Sequence, residues 1–93
     1  MDNPSKLVAL LEENYQEAKK AGTQDIRATL MAGLFWETHY WVDCALNWIN
    51  QGAELDQEII TRLEEISANK HYPQKTRHEA FKYAKRWQRT NHT

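Results

Sequence analysis

Glycine and proline are scarce in this chain, with three and two residues in 93. Turns therefore have few places to form. No segment alternates apolar and polar residues with the period of two that a half-buried strand needs, so helix is left. Cysteine is reduced to Cys44 alone. An intramolecular disulfide is excluded, which fits a reducing compartment. No apolar run approaches the about 18 residues that would mark a membrane span. Met1-Asp2-Asn3-Pro4-Ser5-Lys6 has no basic region leading into an apolar one, so no secretory signal is expected. These absences together predict a cytoplasmic protein. Asn91-His92-Thr93 fits a glycosylation sequon but means nothing without secretion, and Asn3-Pro4-Ser5 is ruled out by its proline.

What is present is a core. Hydrophobic residues make up 41% of the chain, with four Trp, four Tyr and two Phe. That is too rich for intrinsic disorder, and the length suits one domain. The first helix is expected from Pro4 to Ala21, with Leu7, Leu11, Tyr15 and Ala18 in one stripe and Leu10 beside them. Gly22 would supply its left-handed cap, and Thr23 to Asp25 the start of the next helix. That second helix is expected over about residues 25–50. Ile26, Leu30, Leu34, Trp41, Ala45 and Trp48 fall together at about 100° per residue. Met31, Phe35, Val42, Leu46 and Ile49 adjoin them, so the element reads as central and packed on two sides. A split near Gly33 and Leu34 is left open. Asn50-Gln51-Gly52 closes it. Asp56 then caps a third helix with Ile59, Leu63 and Ile66 buried, ending near Ala68, and Leu55 and Ile60 stand in the positions of a hydrophobic staple. His71-Tyr72-Pro73 reads as a turn. Thr76 and Glu79 fit a capping box for a last helix reaching about Arg89, with Ala84 and Trp87 buried.

The predicted fold is all-α: four helices in an antiparallel bundle or stacked helical hairpins. From His39 to Trp87 the residues Val42, Ala45, Leu46, Ile59, Leu63, Ile66, Ala80 and Ala84 follow a pattern that resembles one and a half HEAT-type units. That resemblance implies paired amphipathic helices stacked side by side.

Charge is sorted along the chain. Residues 1–69 hold 12 Asp or Glu against five Lys or Arg, a net of −7, whereas residues 70–93 hold one against seven, a net of +6. The last helix divides likewise. Ala80, Tyr83, Ala84 and Trp87 share one side of a helical wheel, and His78, Lys82, Lys85, Arg86 and Arg89 share the other. A basic amphipathic helix of this kind can meet an acidic protein surface, nucleic-acid phosphates or an anionic membrane surface. Equally, the cations can be solvated surface, or neutralise acidic groups in the molecule or in a second copy. The acidic remainder of the chain would repel a long duplex. A protein partner is therefore the first expectation, nucleic acid the runner-up, and a homo-oligomer is left open.

Trp36 and Tyr40 form the second candidate surface, projecting from the off-core side of the central helix beside Thr29, Asp43 and Asn47. Both residue types are enriched at interface hot spots. The alternative is that the first helix covers them.

No catalytic, cofactor or metal set is expected. His39 and Cys44 are five apart, about 140° around a helix, and cannot chelate one ion from it. His71 and His78 straddle the last turn and are free to meet. His78-Glu79-Ala80-Phe81-Lys82 has Lys82 where a zincin needs its second His. Adjacent carboxylates such as Glu12-Glu13 and Glu64-Glu65 diverge on a helix, and no glycine-rich phosphate loop exists. The function expected is non-enzymatic: a small protein that regulates or inhibits a larger macromolecule. Small acidic helical proteins of this kind are common among phage and mobile-element products, an analogy of size and class. An enzyme or ligand-binding bundle with a buried site is the third alternative.

Overall fold

The structure is a computed structural model that describes residues 8–20 and 26–91. It is all-α, with five α-helices and no strand among the described residues. A 3-10 turn at Leu10–Glu12 precedes α1 (Tyr15–Lys20), α2 (Ile26–Leu34), α3 (His39–Asn50), α4 (Gln57–Ala68) and α5 (Gln74–Asn91). The chain forms two compact units, Met1–Glu54 and Leu55–Thr93. The expected helix start at Pro4, the burial of Leu7, the cap at Gly22 and the Thr23–Asp25 start signal lie outside the described residues.

In the first unit the expected single N-terminal helix is broken at Glu13 and Asn14. Glu13 is extended, with φ −83° and ψ 160°. Its carbonyl accepts the indole N–H of Trp48 at 2.9 Å. Asn14 then restarts the helix, its Oδ1 accepting the Gln16 N–H at 2.8 Å while its carbonyl takes Ala18 N–H. The orphan N–H of Tyr15 is satisfied by Gln51 Oε1 at 3.1 Å. Tyr15 also meets Trp48 edge-on, with ring centroids 5.5 Å apart. Trp48 is fully buried and has its one polar atom paired.

The expected central helix is also two helices. After Leu34 the chain leaves α2: Trp36 N–H bonds Gly33 carbonyl at 3.2 Å, tightening the last turn, and Thr38 is extended. Gly33 marks a close approach. A Cβ there would strike Leu11 Cδ1, lie 3.1 Å from the Trp41 carbonyl and 3.3 Å from Ala45 Cβ. An added Cβ would force Leu11 aside and press the Trp41 carbonyl and Ala45 by a few tenths of an ångström, so glycine suits this close approach of α2 to α3. Two expectations change with the break. Phe35, placed beside the core by the wheel, is 55% exposed, and Thr29, placed on the outer side, is buried.

At the end of α3, Gly52 takes φ +111°, its N–H bonds Ile49 carbonyl, and Ala53 N–H bonds Trp48 carbonyl. This is the paired-bond Schellman closure, and it needs a left-handed residue at that point.

The second unit is a helical hairpin in which α4 and α5 pack on each other. Asp56 caps α4 as expected, its Oδ1 accepting the Ile59 N–H at 3.0 Å. Ile59, Ile60, Leu63 and Ile66 of α4 are buried, as are Thr76, Ala80, Tyr83 and Ala84 of α5. In the connection, Asn69 Oδ1 accepts the His71 N–H, and buried Tyr72 receives Arg62 at its hydroxyl and Arg77 at its carbonyl. The capping box at Thr76 does not form. Proline pre-sets the entry, the Pro73 carbonyl accepts Arg77 N–H, and α5 starts at Gln74. Thr76 thus falls within the first turn and turns inward, 2% exposed. Trp87 is half-buried rather than fully in the core.

Candidate functional site: the cationic face of the last helix

An 18-residue helix with one buried face must show the other to water, and α5 does so with cations. His78, Lys82, Lys85, Arg86 and Arg89 are all exposed. Their spacing of three and four residues keeps them on one stripe. Among the described residues, Lys82, Lys85, Arg86 and Arg89 enter no ion pair.

Aromatic rings steady several of these groups. Lys82 Nζ lies 4.9 Å and Arg86 Cζ 5.7 Å from the centre of the Tyr83 ring, which is itself 4% exposed. Lys85 Nζ stands 5.5 Å from the Phe81 ring. Such contacts hold a cation electrostatically at the ring face. Burial pushes the Tyr83 phenol above its ordinary value, with the Glu79 charge adding and Arg86 opposing. Lys82, Arg86, Arg89 and Thr90 together line a shallow open depression. The Thr90 hydroxyl donates to the Arg86 carbonyl at 3.0 Å.

No protein-family model matches the chain. No curated protein and no solved structure is similar to it either. The HEAT-type pattern read from His39 to Trp87 therefore has the helical composition to support it and nothing more. The residues that carry it fall in both units, α3 in one and α4 with α5 in the other.

The second candidate surface lies in the other unit. Trp36 sits in the 35–38 linker and is half-buried. Tyr40 opens α3 and is 50% exposed. Its hydroxyl donates to Glu12 Oε2 at 2.7 Å, and its ring meets Trp41 edge-on at 4.8 Å. The hydrogen bond to the Glu12 carboxylate is the main cause pushing the Tyr40 phenol up to about 12. Burial raises the neighbouring Cys44 thiol, partly offset by its hydrogen bond with Tyr40. A thiol held protonated is a poor nucleophile.

Among the described residues no three His, Cys, Asp or Glu side chains gather as a metal site, and His71 and His78 are both exposed. No described helix is long and apolar enough to cross a membrane. Two exposed aromatic residues were absent from the expected sites. Phe81 was legible, because 100° per residue puts it beside Lys85 on the wheel. Phe35 was not, because the wheel assumes the helix continues past Leu34.

Proposed function

We propose that this is a small non-enzymatic binding protein that docks the cationic face of α5 onto an acidic surface of a larger protein, regulating or inhibiting it. One observation carries the reading. Five basic side chains stand exposed on one face of a helix whose other face is buried, so the charge is displayed by a rigid element. Rigid display lowers the ordering cost of binding, and charge complementarity raises the association rate. The aromatic surface at Trp36 and Tyr40 is the second contact in this proposal. A cytoplasmic setting and a phage or mobile-element origin belong to the same reading, on class and size alone.

Nucleic acid is the second reading, favoured by the depression among Lys82, Arg86 and Arg89, which suits a phosphate. One set of measurements separates the two. The parent and a Lys82→Glu, Lys85→Glu, Arg89→Glu variant are immobilised and exposed to native lysate and, separately, to labelled duplex and single-stranded DNA and RNA. A protein retained by the parent and lost by the variant is the expected result. Retention of the same proteins by both removes the cationic face from the interface. Salt-dependent binding to the oligonucleotides with no protein retained selects the second reading.

A further inference from the structure

The molecule carries two surfaces of opposite charge, one in each unit. Residues 1–54 hold eight Asp or Glu against four Lys or Arg, a net of −4, and residues 55–93 hold five against eight, a net of +3. In the first unit, the 35–38 linker and the start of α3 expose Phe35, Glu37 and Tyr40, and Tyr40 is hydrogen-bonded to exposed Glu12. A carboxylate held at an exposed ring, as Glu12 is at Tyr40, with a second exposed carboxylate three residues before that ring in sequence, suits a guanidinium or ammonium, which can gain an ion pair and a cation–π contact. The cationic face of α5 offers those groups, with exposed Phe81 among them.

We propose that the acidic aromatic surface at Glu12, Glu37 and Tyr40 of one copy binds the cationic face of α5 of a second copy. The contact is heterologous: each surface meets a different one, so a pair of copies keeps one free surface of each kind to offer to further copies. It covers the face that an outside partner would use, so such a partner competes with the second copy. The inference does not rest on that partner, because it concerns the purified chain alone.

Sedimentation velocity at high protein concentration tests it, at about 0.01 M and about 1 M salt, between which the screening length falls from about 30 Å to about 3 Å. The parent is expected to sediment above its 11.0 kDa monomer mass at low salt and as monomer at high salt. Two charge-reversed variants follow, Lys82→Glu with Lys85→Glu and Arg89→Glu, and Glu12→Lys with Glu37→Lys. Each alone is expected to be a monomer with parental circular dichroism, and their equimolar mixture to associate again, because the reversed surfaces are complementary. A milder swap, Lys85→Glu mixed with Glu37→Lys, serves if a multiple variant loses its helical spectrum. A parent that stays monomeric at low salt, a variant that associates alone as the parent does, or a mixture that stays monomeric overturns the proposal.

Discussion

Single residues decide how the first unit closes. Gly33 is the clearest, because a Cβ there meets a backbone carbonyl at Trp41 as well as a side-chain methyl of Leu11. Gly33→Ala gains up to about 1 kcal/mol of helix propensity. Overpacking costs about 1–3 kcal/mol, and the Trp41 carbonyl is backbone of a packed helix, which yields less readily than the end of a side chain. The packing term wins, so the urea midpoint of Gly33→Ala is expected below that of the parent; an unchanged or higher midpoint contradicts the close approach. Tyr40 makes a second prediction, in pH. Its folded phenol, raised to about 12 by the Glu12 carboxylate, stands above the ordinary 10.0. The neutral phenol is thus the form the fold favours. Stability from this contact is complete below about pH 10 and is lost as pH rises from there through about 12. Absorbance titration of tyrosinate should show Tyr40 ionising late in the parent and earlier in Glu12→Gln, while the phenol of Tyr83, also raised by its burial, is left where it was.

At the scale of elements, caps and breaks matter more than stripes. Asp56 was legible as an N-cap because it precedes a 3.6-residue apolar period, and its side chain bonds Ile59 N–H. Asp56→Ala is expected to cost about 0.5–2 kcal/mol, read as a lower thermal midpoint. Asp56→Asn, which keeps the acceptor, should cost much less. The break at Glu13 and Asn14 had a signal too. Asn14 with Glu17 three residues on is a start pattern inside an apparently continuous stripe. Of the expected stripe, Leu11, Tyr15 and Ala18 are buried, Leu10 is half-buried, and Leu7 lies outside the described residues. The basic side of α5 was equally legible, because periodicity alone separates its cations from Ala80 and Ala84.

On the scale of the whole molecule, a net charge of −1 conceals two units of opposite sign. The all-α class, the buried positions of α4, and Ala80, Tyr83 and Ala84 on the inner side of α5 were determined by the sequence itself, through apolar period and the scarcity of Gly and Pro. Those signals are local, carried by residues three and four apart, and need no knowledge of the rest of the chain. Only tertiary structure decided where the helices of the first unit break, at Glu13 and after Leu34. The Glu13 carbonyl leaves the helical ladder to take the indole N–H of a residue 35 positions away, a pairing that no local pattern encodes. The chain likewise leaves α2 after Leu34 to bring Gly33 against α3, and that turn exposes Phe35 and buries Thr29. Burying Trp48 with its polar atom paired is a non-local requirement, and it overrides the helix propensity of the segment that meets it.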